Sequence, residues 1–110
     1  MNKKFDIAFL EEAKEFLQEQ DVKTRTKIVQ GIEKAQALND KKFFKKLRGE
    51  IWEFRTFYNS KQFRLLAFWD KRDKKNTLVI ATHGFVKKQD AVPKREIEKA
   101  EALMTQYFEE

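Results

Sequence analysis

A chain of 110 residues with three glycines and one proline is long enough for one domain with a modest core and leaves little room for flexible linkers. It has no cysteine and one histidine, which excludes disulfides, thiolate metal sites and multi-histidine zinc sites. The net charge is +6, no run approaches the roughly 20 apolar residues of a membrane span, and no apolar signal stretch follows the first residues, so we expect a small cytoplasmic protein without metal or cofactor.

A short strand and two amphipathic helices are predicted at the start of the chain. Residues 5–7 alternate between apolar and polar side chains, as a strand does. The first helix is indicated by an apolar stripe at helical spacing, made of Phe9, Leu10, Ala13, Phe16 and Leu17. Asp21 is the expected N-cap of the second helix, whose stripe is Ile28, Val29, Ile32 and Ala35. We expect both stripes to face the core.

A basic run separates these helices from the predicted sheet. It contains five cations and no acid, namely Lys41, Lys42, Lys45, Lys46 and Arg48. Phe44 and Leu47 are expected to anchor the run to the core, and Gly49 permits the turn into the sheet. The cations are predicted either to attract an RNA backbone without regard to sequence or to belong to an ordinary solvated loop.

A β-hairpin is predicted next, because the strand-like runs 52–58 and 63–69 flank Asn59 and Ser60. If these two residues form a two-residue loop, Arg55 pairs with Arg64, whereas a three-residue loop would change the register. The two-residue loop places Glu53 on the same face as both arginines. The face toward the helices is then formed by Trp52, Phe54, Leu65 and Ala67. Like charges placed opposite each other destabilise a sheet, so the arginine pair requires Glu53 or an anionic partner nearby.

A third strand and a last helix complete the predicted fold. The turn Asp70–Asn76 leads to a strand at Thr77–Thr82, and His83 is expected at the strand end, ahead of Lys87 and Lys88. Pro93 is expected at the first position of a helix. The apolar stripe of that helix is Ile97, Ala100, Met104, Tyr107 and Phe108. This order of elements predicts a single α+β domain over residues 1–110, with an antiparallel sheet and segregated helices.

Positive charge is concentrated in the middle of the chain. Residues 41–95 carry 16 basic and 5 acidic side chains, whereas residues 1–40 carry 7 and 8 and residues 96–110 carry 1 and 5. A polycationic segment between near-neutral and acidic helices is typical of nucleic-acid binding, although basic surface can also serve solubility alone.

Several short segments, each weakly specific alone, form an ordered pattern along the chain. They are Lys46-Leu47-x-Gly49-x-Ile51-Trp52-Glu53-Phe54-Arg55, Phe63-Arg64, His83-Gly84-Phe85-Val86-Lys87-Lys88, Pro93, and Glu96-Ile97-x-Lys99-Ala100. This set resembles the RelE/ParE superfamily of bacterial toxins, most closely its HigB-like, phage Gp49-like branch. The resemblance implies a small antiparallel sheet with two N-terminal helices packed on it. It also implies ribosome-dependent, metal-independent mRNA cleavage, and inhibition by a cognate antitoxin, which we expect to be a helix-turn-helix protein that binds a monomeric toxin.

The resemblance also implies which residues form the site. Arg64 matches the arginine that follows the hairpin turn, and Arg55 matches the arginine of a Glu-Leu-Arg segment, here Glu53-Phe54-Arg55. Lys87 and Lys88 fall where relatives place a basic pair after the last strand. The chain departs from the family pattern in having Glu53 where relatives carry strand lysines, and in lacking a tyrosine near Pro93. The general base and general acid therefore stay open.

Cleavage of RNA by internal attack requires a base for the 2′-hydroxyl, positive charge on the phosphorane and an acid for the departing 5′-oxygen. Arg64 is the first candidate for the charge and Arg55 the second, because a guanidinium binds phosphate oxygens bidentately. His83 is a candidate proton shuttle. Glu53 is a base or a counter-charge to Arg55, and Lys87 is an acid or a phosphate contact. Each of these residues also has a purely structural interpretation.

Three functions stay open on the sequence. The first is a ribosome-dependent mRNA endoribonuclease toxin that inhibits translation. The second is a non-enzymatic ParE-like inhibitor that acts on DNA gyrase through protein contacts, and the third is an RNA-binding relative without cleavage activity. The predicted cluster of Arg55, Arg64 and Lys87 favours RNA as the target.

Overall fold

The structure, a computed structural model, describes residues 3–73 and 77–110. Its elements are β1 (Asp6–Phe9), α1 (Glu11–Glu19), α2 (Val22–Ala37), β2 (Phe44–Arg48), β3 (Ile51–Tyr58), β4 (Lys61–Asp70), β5 (Leu78–Lys87) and α3 (Lys94–Glu109). The strands form one sheet in the order β1-β5-β4-β3-β2. β1 runs parallel to β5, and the other neighbouring pairs are antiparallel. The predicted α+β fold is confirmed, with a mixed sheet because of β1.

The helices lie on both faces of this sheet. α1 and α2 contribute Ala13, Phe16, Ile28, Ile32 and Ala35 to a buried core on the first face. On the second face, α3 buries Ile97 and Ala100 against a smaller group of strand residues, which comprises Ile51, Leu66, Phe68 and Ile80. No helix in the described ranges has the length and apolar character needed to cross a membrane.

The predicted hairpin is confirmed, and of the two registers left open by the sequence the structure has the one with a two-residue loop. Asn59 and Ser60 have φ angles of 54° and 61°, the left-handed conformation that a two-residue type I′ turn requires. Tyr58 pairs with Lys61, and Arg55 pairs with Arg64. Alternation therefore buries Phe54, Leu65 and Ala67 on the first face, which α1 and α2 cover. Gly49, with a φ angle of 57°, makes the preceding turn.

Two predicted strand features are wrong. β5 continues to Lys87 because β4 is long enough to pair with it over Gln62–Asp70, so His83 lies within a strand and not at its end. Thr82 forms a bulge between the pairs Leu66–His83 and Ala67–Ala81. The basic run is partly a strand too, since residues 44–48 form β2 at the sheet edge instead of a loop. Of the predicted turn Asp70–Asn76, residues 74–76 lie outside the described residues.

The helix predictions need smaller corrections. Asp21 is the N-cap of α2, as predicted, and accepts a hydrogen bond of 2.8 Å from the Thr24 backbone N–H. Phe9 belongs to β1, since α1 begins two residues later. Val29 is exposed because α2 packs through residues 28, 32 and 35, a quarter turn away. Pro93 is the N-cap of α3, one position before the predicted one.

Candidate functional site

Beyond the apolar residues that pack against α3, the second sheet face has a further part that is largely charged. We call it the open face; it is formed by Glu53, Arg55, Phe57, Gln62, Arg64 and Lys87. These residues share one side of the sheet because side chains alternate along a strand and the registers place Arg55 opposite Arg64, Phe57 opposite Gln62, and Gln62 opposite Lys87. The registers of β3, β4 and β5 thus bring together four of the predicted catalytic residues.

The centre of the open face is a buried ion pair. Arg64 Nε lies 3.0 Å from Glu53 Oε1, and each side chain is only 3% exposed. Arg64 also donates hydrogen bonds to the Phe63 carbonyl (Nη1, 3.1 Å) and to Gln62 Oε1 (Nη2, 2.6 Å). Burial lowers the pKa of Arg64, an effect that the charge of Glu53 opposes. The Arg64 guanidinium is therefore largely shielded from solvent, at the edge of a cleft that Arg64 helps to line.

Glu53 is shared between two guanidinium groups. Arg55 Nε lies 3.8 Å from Glu53 Oε2, and the Arg55 side chain is 32% exposed. Three side-chain atoms of Glu53, Arg55 and Arg64 are buried without an aligned hydrogen bond within the described ranges: Glu53 Oε1, Arg55 Nε and Arg64 Nε. The contacts within this triad of residues are therefore mainly electrostatic. Glu53 thus offsets the repulsion between the paired arginines, as the sequence led us to expect. Only Arg55 of the three reaches solvent to a substantial degree.

Lys87 is a partly buried cation at the end of β5. Burial lowers the pKa of Lys87, and the nearby charges of Arg64 and Arg55 lower it further, while Glu53 and Asp90 act in the opposite direction. A lysine with a lowered pKa gives up its proton more readily than an ordinary lysine does.

A basic cleft of about 440 Å³ borders the open face. We call it the first cleft; it lies between α2 and the end of β3. Lys27 and Lys34 of α2, together with Lys42, line it opposite Arg55 and Phe57. Gly31 lets α2 approach the sheet, because a Cβ atom there would lie 2.8 Å from Thr56 Oγ1.

Lys27 and Lys34 were missed by the sequence analysis because they belong to the near-neutral part of the chain. Their seven-residue spacing, two turns of helix, is the sequence signal that both lie on one side of α2.

The predicted RNA-binding cations are spread over several positions. Lys42 lines the first cleft, and Lys88 lines a second cleft of about 480 Å³ on the other side of Phe57. The Lys41 carbonyl accepts a hydrogen bond of 3.5 Å from Arg55 Nη1. In the register of β2 and β3, the backbone of Lys45 lies opposite that of Glu53, and the backbone of Lys46 lies opposite that of Trp52. Arg48 instead lies 3.6 Å from Glu101 of α3, so the structure does not bring it to the first cleft.

His83 is a buried residue that joins β5 to α3. Its Nε2 lies 3.0 Å from Glu96 Oε1, and its Nδ1 lies 2.9 Å from Thr82 Oγ1. Burial lowers the pKa of His83, although the hydrogen bond with Glu96 opposes the effect. Both ring nitrogens are thus engaged, which is an arrangement that fixes α3 on the sheet.

The lowered pKa of His83 predicts that the folded protein loses stability in mild acid. As the pH falls from about 7 to 5, the unfolded chain takes up a proton on His83 before the folded one does, so the free energy of unfolding decreases. Glu96 and Glu12 act against this shift and Lys99 acts with it. We expect His83→Gln, which can still hydrogen-bond to Glu96 and Thr82, to flatten this part of the pH profile. Urea unfolding of both proteins across this range tests it; an unchanged slope in the variant would contradict it.

Tyr107, the tyrosine nearest to the chain end, takes part in a polar contact between α3 and the end of β4. Tyr107 donates a hydrogen bond of 2.7 Å to Asp70 Oδ2, and Arg72 holds the same carboxylate with a 2.8 Å contact from Nη2. The Arg72 hydrogen bonds lower the pKa of Asp70, with a smaller contribution from Tyr107. This group fastens the end of β4 to α3.

The open face is suited to binding anions. Within residues 3–73 and 77–110, no three side chains of metal-ligating type converge. The two clefts instead present lysine and arginine side chains on both sides of Phe57. A groove lined by cations concentrates phosphate groups near its surface.

Comparison with known proteins identifies the family. No curated protein matches the chain at a significant level of similarity. The family model described as "Phage derived protein Gp49-like (DUF891)" matches residues 15–105, which include α2, all of β2 to β5 and the site residues described above. The chain therefore belongs to the Gp49-like family of phage-derived proteins, part of the RelE/ParE-like toxin superfamily.

Proposed function

We propose that the protein is the toxin of a type II toxin–antitoxin system and acts as a ribosome-dependent mRNA endoribonuclease that inhibits translation. The observation that carries this proposal is the convergence of Arg55 and Lys87 on the open face, around the buried Glu53–Arg64 pair and beside a cleft lined by lysines. Membership of a toxin superfamily supports the same conclusion and implies an antitoxin partner.

In the proposed reaction, the 2′-hydroxyl of the RNA gives up its proton to solvent water and its oxygen attacks the adjacent phosphorus, while the bond from phosphorus to the 5′-oxygen breaks and a 2′,3′-cyclic phosphate forms. Arg55 is assigned to the phosphorane, because it is the arginine of the triad with solvent access and its fork matches phosphate oxygens. Lys87 is assigned as the acid that protonates the departing 5′-oxygen, a role that its lowered pKa suits. These cations supply the charge that the reaction needs, so the proposal is metal-independent.

The buried residues are assigned to positioning. Glu53 lies between two guanidiniums and is 3% exposed, so it acts as their counter-charge and not as the base. Arg64 holds Glu53, and Glu53 in turn orients Arg55. His83 is assigned to the attachment of α3, since Glu96 and Thr82 occupy its ring nitrogens.

The surrounding cations are proposed to attract RNA. The same basic surface is proposed to be where the antitoxin binds and inhibits the toxin. In this proposal Lys41, Lys42, Lys45, Lys46, Arg48 and Lys88 strengthen binding to ribosomal and messenger RNA through phosphate contacts. An antitoxin with acidic surfaces, proposed to be a helix-turn-helix protein, binds the monomeric toxin in the cytoplasm and neutralises the basic face.

The test combines purified full-length protein with ribosomes translating a defined message, followed by primer extension. We expect new 5′ ends on the translated message and none on a matched message without a start codon. Growth arrest with intact messages would contradict the proposal and favour inhibition through protein contacts. If the protein causes no growth arrest and cleaves no message, the result would favour an RNA-binding protein without enzymatic activity.

A further inference from the structure

Phe57 is an exposed aromatic side chain that the folding of the domain does not explain. It is 70% exposed, the highest value for an aromatic residue in the described part of the chain. Alternation along β3 directs it to the open face, away from the buried Phe54. Exposure of a ring of this size forgoes the stabilisation that burial of a large apolar side chain provides.

The backbone under Phe57 is well defined. Phe57 pairs with Gln62 one step before the type I′ turn, and Gln62 pairs with Lys87 of β5. The ring therefore stands on a three-stranded part of the sheet and not on a loop. Arg55, two residues earlier on the same strand and face, lies about 7 Å away along the strand.

Cations lie on both sides of the ring. Phe57 lines the first cleft with Lys27, Lys34, Lys42 and Arg55. It also lines the second cleft, where Lys61, Lys87 and Lys88 outnumber the acidic Asp90. A flat apolar ring between two positively charged clefts matches a polymer that has flat bases and a phosphate backbone. A protein partner docking through an apolar patch would instead require further exposed apolar side chains beside Phe57, and these clefts supply mainly cations and amides.

We propose that Phe57 is a stacking platform for an unpaired base of the RNA, with the phosphates on either side of that base held in the two clefts. The inference rests on the proposed function, since it adds a positioning contact to the same site. Stacking on an aromatic side chain tolerates every base, because each base has a flat face. Phe57 therefore sets where the strand lies relative to Arg55 and does not select a sequence.

The test is a fluorescence titration of the full-length protein with a short single-stranded RNA that carries 2-aminopurine, whose emission falls when the base stacks. Phe57→Ala is expected to weaken binding by roughly 5- to 150-fold, the range that corresponds to measured stacking contributions. Phe57→Trp should retain the affinity, whereas Phe57→Leu should lose most of it because leucine is apolar without a flat face. Val22→Ala, at a site on α2 that is 71% exposed, is the matched control and should bind as the wild type does.

Salt dependence separates stacking from phosphate contact. The slope of log affinity against log salt should stay the same in Phe57→Ala, because no charge is removed, while Lys88→Ala should reduce it by about 0.7. Unchanged RNA affinity in Phe57→Ala would overturn the inference, and so would equal affinities of Phe57→Leu and the wild type. Loss of antitoxin binding in Phe57→Ala without loss of RNA affinity would overturn it in favour of a protein contact.

Failure of the proposed function would have a different signature. A wild type that binds this RNA through Phe57 but cleaves no translated message would overturn the nuclease and leave the platform in place. Cleavage by the wild type together with unchanged RNA binding in Phe57→Ala would overturn the platform alone.

Discussion

Arg64→Ala is expected to destabilise the protein by about 3–5 kcal/mol, because it leaves the Glu53 carboxylate buried without its nearest counter-charge. Folded domains are typically stable by only about 5–15 kcal/mol, so the variant should be marginally folded. Urea unfolding followed by the fluorescence of Trp52 and Trp69 measures the change. A loss of toxicity in Arg64→Ala would accordingly say nothing about catalysis.

Two further variants make this prediction specific to the buried pair. Replacing the pair with apolar residues, Glu53→Leu with Arg64→Met, should recover most of the lost stability, because both members of the buried pair are removed together and Arg55, which is 32% exposed, keeps contact with solvent. Arg48→Ala removes an arginine from the exposed pair with Glu101 and should cost at most about 1 kcal/mol. If Arg64→Ala proves no more destabilising than Arg48→Ala, the pair is not the electrostatic centre of the open face.

The hairpin could be predicted from sequence because its determinants are local. Asn59 and Ser60 accept positive φ angles, and this choice of turn fixes every cross-strand pair, including Arg55 with Arg64. The same register led to the expectation that Glu53 would lie near both arginines. The register could not predict how deeply each of the two arginines is buried. Arg64 is buried because β4 lies between β3 and β5, whereas Arg55 lies on β3 just past Phe54, where the pairing of β3 with β2 ends. This difference depends on the order of strands in the sheet, which the hairpin alone does not fix.

Other parts of the site depend on contacts between distant segments and escaped the sequence analysis. Lys27 and Lys34 reach the first cleft only because Gly31 lets α2 approach β3. The Thr82 bulge shifts β5 relative to β4, so the apparent strand end at His83 was misleading. Phe57 looked like any other strand residue, since the sequence does not show that it lies outside the apolar group that packs against α3.

Because Arg64 is buried, we expect Arg55 instead of Arg64 to stabilise the phosphorane. A group that stabilises the phosphorane must reach the phosphate, and Arg55 combines 32% exposure with a carboxylate that orients it. Arg55→Ala should leave the fold intact, because Glu53 keeps Arg64 as its partner. The cleavage rate on a translated message should fall by a factor on the order of 10²–10³, the usual effect of removing one preorganised charge. Primer extension under single-turnover conditions measures it.

Controls for Arg55→Ala separate chemistry from charge and from folding. Lys14→Ala removes an exposed cation from α1, which contributes no residue to the lining of either cleft, and should cleave as the wild type does. Arg55→Lys keeps the charge but lacks the bidentate fork, so it should recover only part of the rate. Because Arg55 acts mainly on the transition state, RNA affinity should fall far less than the rate, with a salt slope reduced by about 0.7 for one lost phosphate contact. Equal cleavage by Arg55→Ala and the wild type, with both proteins folded, would remove Arg55 from the reaction and leave the open face as a binding surface.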